Sequence, residues 1–296
     1  MMLDSIRSML FVSGEKPERF GKALASGADL VCIDLEDAVL PEHKPTARQA
    51  AIAFAAHHVR DTGGAGLAVR LNAVRTHEGL ADIAALVDAN VRFDAILLPK
   101  VEHPEELALF SAWLPDAADT LVALIETPLG VENAAAIGAA ARRDAPRLGA
   151  LMLGGADLAA ELGAEFGWDG LLAARGRIVN AARASGLQAW DVPFLDLEDE
   201  AALTAETLSV ARMGFGCKTA IHPRQIAGIH AAFAPSATDR RWAEALIEAD
   251  AARAGNGRAA GAFLFEGRMV DAPVLRKARR IAQLADRLSS RGATAS

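Results

Sequence analysis

Residues 29–36 read DLVCIDLE and residues 94–100 read DAILLPK. In each, a charged residue opens a run of four apolar residues, with no polar residue alternating inside it. Such a run is a strand covered on both faces, as in a parallel sheet. Six further stretches have the same character: RSMLFVS (7–13), LAVRLN (67–72), TLVALIET (120–127), ALMLGG (150–155), QAWDVPF (188–194) and KTAIHP (218–223). Between them, PERFGKALASG (17–27), KPTARQAAIAFAAHHV (44–59) and EDEAALTAETLSVARMG (198–214) space their apolar residues by three and four, and two of them end in Gly, so they read as helices. Eight strand–helix units within about 230 residues predict a (β/α)8 TIM barrel over residues 1–232. A doubly wound open sheet is the rival, but no GxGxxG follows the first strand. GFGCKT (214–219) has the look of a phosphate loop, yet it leads from a helix into a strand, the wrong order.

The pattern changes after Phe233. A helical stretch (234–255), a Gly-rich stretch with a short apolar hairpin (255–273) and a basic amphipathic helix (273–292) make residues 233–296 a C-terminal lid and helical extension. Its core is too small to stand alone. Over the whole chain of 296 residues, 52% are hydrophobic and 23% charged, enough for a sizeable core. The net charge of −7 argues against a general nucleic-acid or membrane-surface binder. No apolar run reaches the ~18 residues needed to span a bilayer, and the N-terminus has no signal-peptide pattern. The two cysteines, Cys32 and Cys217, lie in apolar runs and read as buried free thiols of a cytoplasmic protein. There is no tyrosine, so none serves as acid, base or nucleophile.

In such a barrel the chemistry sits where strands end. Glu36 and Asp37, Arg70 and Asn72, Lys100 and Glu102, Glu126, Asp157, Asp191 and His222 all stand at strand ends, expected to aim at one mouth. Glu126 and Asp157 follow adjacent strands without a His or Cys pattern beside them, which favours a hard cation such as Mg2+ over zinc. Helix capping or salt bridging is the plainer reading of the same pair. Arg70, inside an apolar strand, needs a carboxylate, from a substrate or from Glu36 or Asp37. Glu36 and Asp37 are adjacent and cannot point the same way on an extended strand, so one faces the mouth. Lys16, Arg19 and Lys22 lie on the first loop and helix, either as a solvated face or as a landing site for phosphates. Of the seven histidines only His222 stands at a strand end.

Taken together, RSMLFVSG, ERFGKA, GADLVCIDLEDAV with Lys44 and Ala47–Arg48, VRLN, LLPKVE, LIETPLGVENAAAI, LGGADLAAELG, GFGCKTAIHPRQI and GRMVDAPVLRKA resemble the citrate lyase β-subunit and malyl-CoA lyase family. The match runs in order from about residue 7 to about residue 280. The resemblance implies a Mg2+-dependent carbon–carbon lyase. It would cleave or form a citryl-, malyl- or citramalyl-CoA type thioester, with an acyl-CoA and a 2-keto acid such as oxaloacetate as products. It implies metal ligation by Glu126 and Asp157, and keto-acid binding by Arg70 with Phe11 and Gly154. It implies CoA contacts from Lys16, Lys22 and His222, and proton transfer by Asp271 of the lid. Glu36 and Asp37 join Arg70 and Asp271 as candidate catalytic residues. A homotrimer or hexamer is implied, with acyl carrier protein as an alternative carrier of the acyl group. Two positions depart from the family pattern: Ser13 stands where Pro is common, and Cys217 where Gly is usual. Both are expected beside the thioester channel. A malyl-CoA-type thioester hydrolase, a non-catalytic binder of a Mg2+–keto acid complex and a Mg2+-dependent pyruvate aldolase are the alternatives.

Overall fold

In a computed structural model, which describes residue 3 and residues 6–58, 64–255 and 261–294, the chain divides into two compact units, Met1–Phe233 and Ala234–Ser296. The first is a closed barrel of eight parallel strands in sequence order. Its first half is built from β1 (Ser8–Ser13), α1 (Phe20–Leu24), β2 (Leu30–Asp34), α2 (Lys44–His57), β3 (Gly66–Arg70), α3 (His77–Ala89), β4 (Phe93–Leu98) and α4 (Pro104–Trp113). The second half follows with β5 (Ala118–Ile125), α5 (Pro128–Ala139), β6 (Leu148–Leu153), α6 (Gly155–Leu162), α7 (Trp168–Ser185), β7 (Gln188–Asp191), α8 (Glu200–Met213), β8 (Cys217–Ala220) and α9 (Gln225–Phe233). All eight apolar runs are strands, and β8 pairs with β1 to close the wall. Helix α1 is shorter than the sequence pattern suggests: a single 3₁₀ turn, Pro17–Arg19, precedes its five residues.

Strand alternation sorts the side chains into two cores. Met9, Leu30, Cys32, Ala68, Ala95, Leu97, Val122, Leu124, Ala150, Met152, Trp190 and Cys217 form one cluster with no helical member, which is the barrel interior. Small residues on several strands leave room for the indole of Trp190, which is fully buried. The intervening residues, such as Leu10, Val31, Ile33 and Leu151, pack outward against the helices. Both cysteines are free and buried, as expected. Cys217 therefore lies in the interior beside Trp190 and not on a channel, contrary to the expectation for this departure from the family pattern.

Asp191 also differs from expectation. Trp190 points inward, so its neighbour faces the helix layer. There Asp191 pairs with Arg175 of α7 (2.8 Å) and Lys218 of β8 (2.7 Å), and Lys218 also reaches Glu206 of α8 (2.7 Å). Arg175, Asp191 and Lys218 are almost wholly buried. Helix α8 ends at Gly214, whose φ of +110° is strained for any residue with a Cβ.

The second unit holds α10 (Ala237–Gly255), a hairpin of β9 (Phe263–Phe265) and β10 (Arg268–Val270), and α11 (Ala272–Thr294). Ala243, Leu246, Val270 and Ala278 form its core. Residues 256–260 of the Gly-rich stretch lie outside the described residues. Among the described residues no helix is long and apolar enough to cross a membrane.

Candidate active site

The inward alternation of four strands carries polar groups to the barrel's carboxyl end. Cys32 leads to Asp34, Ala68 to Arg70, Leu124 to Glu126 and Met152 to Gly154. Asp34, absent from the sequence expectations, is the main partner of Arg70. Its carboxylate takes Nε at 2.7 Å and Nη2 at 2.6 Å in a bidentate grip. The remaining nitrogen, Nη1, faces Glu36 Oε2 at 3.0 Å and Asp37 Oδ2 at 3.3 Å. Both acids thus converge on one guanidinium, against the expectation that they diverge. Strand β2 ends at Asp34, and the chain turns before Glu36, so extended-strand alternation no longer applies. The Arg70 guanidinium lies over the Phe11 ring, 5.2 Å from its centroid.

The turn that presents Glu36 is fixed from behind. Lys44 Nζ donates to the Leu35 carbonyl (2.9 Å), the Glu36 carbonyl (2.8 Å) and Asn72 Oδ1 (2.5 Å). Asn72 in turn donates to Leu35 O and to Asp82. Ser13, the last residue of β1, contributes by donating its hydroxyl proton to Ala38 O at 2.6 Å.

ETPLG makes the next part of the rim by local rules. Glu126 follows the last residue of β5, and Thr127 caps α5 by accepting the Gly130 N–H at 3.0 Å. Pro128 takes the first helical position, where no N–H is needed. Glu126 is buried, and its Oε1 accepts the main-chain N–H of Lys100 at 2.7 Å. Across from it, Gly154 closes the gap between β6 and α6. A Cβ there would lie 2.2 Å from Glu126 Oε2, so only glycine leaves this carboxylate its place. Asp157 sits in the first turn of α6, half-buried. Lys100 joins these acids: its ammonium lies 2.7 Å from Asp157 Oδ2 and 2.8 Å from Glu36 Oε1.

Burial, reinforced by the negative charge of Glu36, pushes the Glu126 carboxyl up to about 7 despite the opposing Arg70 and Lys100. Glu36 is raised as well, chiefly by burial, and its Oε2 is a buried atom without a hydrogen bond. Burial would lower Arg70, but Asp34, Glu36 and Asp37 outweigh it and raise the group above its usual range. The donor set suits a hard divalent ion: only carboxylates, one of them buried and short of positive charge, beside an open edge. Among the described residues no group of three or more His, Cys, Asp or Glu forms a ready metal cage. Mg2+ needs none, since one or two carboxylates with water and substrate oxygens complete its shell.

Three other expected residues of the barrel unit, Lys16, Lys22 and His222, lie outside this cluster. Lys16 and Lys22 are exposed on the first loop and α1. His222 is exposed after β8, where its Nδ1 accepts the Arg224 N–H at 3.2 Å. Asp271 belongs to the second unit. There its carboxylate accepts the Val274 N–H (3.2 Å) and its carbonyl accepts the Leu275 N–H (3.1 Å), capping α11.

The sequence pattern of the HpcH/HpaI aldolase/citrate lyase family matches residues 7–223. Mitochondrial citramalyl-CoA lyase of Rattus norvegicus is 34% identical over 293 residues, covering 94% of this chain and 86% of the relative. A (3S)-malyl-CoA thioesterase of Cereibacter sphaeroides is 37% identical over 269 residues, covering 90% and 89%. Among solved structures, protein CitE from Mycobacterium tuberculosis in complex with magnesium, acetoacetate and coenzyme A is 33% identical. It superposes with a TM-score of 0.80 over 96% of this chain and 100% of that one.

Proposed function

This chain belongs to the HpcH/HpaI aldolase/citrate lyase family, and from that premise we propose that it cleaves, or in reverse forms, the carbon–carbon bond of a 3-hydroxyacyl-CoA thioester of citryl, malyl or citramalyl type. The products are an acyl-CoA and a 2-keto acid, and Mg2+ is the cofactor. One observation carries this reading. Glu126 and Asp157, from two neighbouring units of the barrel, both reach Lys100, one through its N–H and the other through its ammonium.

In this reading Glu126 and Asp157 hold the ion, which when bound supplies a Lewis acid and a template for the keto acid's oxygens. Gly154, with no Cβ, leaves Glu126 the place it occupies. Asp34 fixes the fork of Arg70 through Nε and Nη2, which holds the guanidinium in one orientation; the keto-acid carboxylate would meet the second Nη2 hydrogen, or take Nη1 in place of Glu36 and Asp37. Phe11 lies against that guanidinium and is the candidate to contact the substrate beside it. Glu36, whose carboxyl is raised by burial, faces Arg70 through Oε2 and Lys100 through Oε1 and is a candidate to exchange a proton there. Asp37, exposed, tunes the charge on Arg70. Lys16, Lys22 and His222 meet the phosphates of CoA. Asp271 brings a carboxylate that takes the α-proton of the acyl thioester in the synthetic direction. Asp271→Asn should leave Mg2+ and keto-acid binding intact and cut turnover ~10²-fold or more; unchanged turnover contradicts the assignment.

The chain acts as a homotrimer or hexamer in the cytoplasm, in keeping with its two free buried thiols, and acyl carrier protein is the alternative carrier of the acyl group. The test is a panel of 3-hydroxyacyl-CoA thioesters incubated with protein and Mg2+, with both products identified by mass. Acyl-CoA plus keto acid is the expected result. The thioesterase relative favours a second reading, hydrolysis, which would instead release free CoA without keto acid. Absence of either product would leave a binder of the Mg2+–keto acid complex.

A further inference from the structure

Three non-glycine residues among those described have positive φ: Asn90, Lys100 and Glu266. Two have ordinary local reasons. Asn90 caps the end of α3, and Glu266 turns the β9–β10 hairpin. Lys100, at φ +53°, lies in the turn Pro99–Lys100 that follows β4 at the barrel mouth, and its conformation also bears on the acids around it. A glycine would suit that backbone better, so the side chain is kept there against a local preference.

The conformation lets one residue address three acids. The N–H of Lys100 goes to Glu126 Oε1 (2.7 Å), and its ammonium goes to Asp157 Oδ2 (2.7 Å) and Glu36 Oε1 (2.8 Å). Asp37 Oδ1 stands 4.0 Å from the same nitrogen. The second cation of the cluster, Arg70, is taken up by Asp34, Glu36 and Asp37, and no pairing of it with Asp157 is seen. Asp157 is therefore held by Lys100. An oxygen that donates electron density to a divalent ion cannot at the same time keep an ammonium at 2.7 Å without the two like charges crowding each other.

We propose that Lys100 is the resident counter-cation of the mouth, holding Asp157 in the metal-free protein and giving it up when the divalent ion binds. This rests on the reading of Glu126 and Asp157 as the metal ligands. Coupling of this kind is reciprocal: the ion loosens the lysine's hold by the same factor as the lysine weakens the ion. The ammonium thus keeps the acids from repelling one another before the ion arrives, at a cost in metal affinity.

The test uses the full-length protein with Mg2+ alone. Calorimetry of Lys100→Met should give a dissociation constant lower than that of the wild type by about tenfold, and the metal-free variant should melt at a lower temperature. Equal or weaker Mg2+ binding overturns the proposal. A second measurement needs no variant. An amine-reactive label, followed by mass spectrometry, should modify Lys100 of the wild type several-fold faster at saturating Mg2+ than without it. Unchanged labelling means that the lysine stays on Asp157, which also overturns the proposal. Wild-type protein that binds no Mg2+ would sink the metal reading and this inference together, whereas normal wild-type binding with either negative result sinks the inference alone.

Discussion

Two charged clusters lie within one barrel, and they differ in balance. Behind β7 and β8, Arg175 and Lys218 meet Asp191 and Glu206, two cations for two carboxylates, with the first three almost wholly buried. At the mouth, among the described residues, Asp34, Glu36, Asp37 and Asp157 pair with Arg70 and Lys100, while Glu126 takes the Lys100 N–H, five carboxylates for two cations. The first cluster closes on itself and leaves nothing to bind. The second carries surplus negative charge and a buried carboxyl pushed up to about 7. Charge balance, more than the presence of charge, distinguishes the two clusters, and the proposed metal site is where the acids are in excess.

The contrast is sharpest when one member of each cluster is neutralised. Asp191→Asn or Lys218→Met leaves an uncompensated buried charge and should cost ~3–5 kcal/mol of stability, read as a large fall in melting temperature. Glu126→Gln should cost the metal-free protein little or raise its stability, because the lost charge is in excess, while Mg2+ affinity falls ~100-fold or more by calorimetry. If both substitutions destabilised equally, the distinction would fail. Gly154→Ala comes next. The added methyl would meet Glu126 Oε2 at 2.2 Å, so the carboxylate must move; Mg2+ affinity should drop ~10-fold while the fold loses ~1–3 kcal/mol. A variant with wild-type affinity would show that the position of Glu126 does not matter.

The smallest effect concerns pH. An ordinary glutamate titrates near 4.5, and Glu126 in the metal-free protein near 7. Between these values the native state holds a proton that the unfolded chain has released. This group's contribution to stability therefore falls as pH rises from about 4.5 to 7, and is flat on either side. The ion requires the carboxylate form, so apparent Mg2+ affinity should climb across the upper part of that window, by at most ~10-fold per pH unit, and level off above about 7. Calorimetry in buffers of different ionisation heat should find proton uptake by the buffer approaching one per ion at pH 6, against none at pH 8.

The barrel was legible because each strand is apolar on both faces, which only a sheet covered on two sides requires. The site was legible in part. Glu126 and Asp157 stand out as acids that follow adjacent strands, which pairs them, and the family resemblance favoured metal ligation over capping or salt bridging. Asp34 was missed although a signal existed: Cys32 and Asp34 share a face of β2, as Ala68 and Arg70 do on β3, and the two strands pair Asp34 with Arg70. Asp191 was misplaced for the same reason in reverse, since an inward Trp190 turns it away from the mouth. Lys100 was seen as a strand-end residue but given no role. Its contacts depend on a left-handed backbone at a lysine, which no apolar pattern announces.

The central claim is that the surplus acids of the mouth are there for a divalent ion. The most direct measurement is an anomalous difference map from crystals grown with Mn2+ in place of Mg2+. The account predicts one strong peak bonded to an oxygen of Glu126 and an oxygen of Asp157, at ~2.0–2.2 Å. A map with no peak there, or with the ion bound elsewhere while Asp157 and Glu126 keep only protein partners, would contradict it.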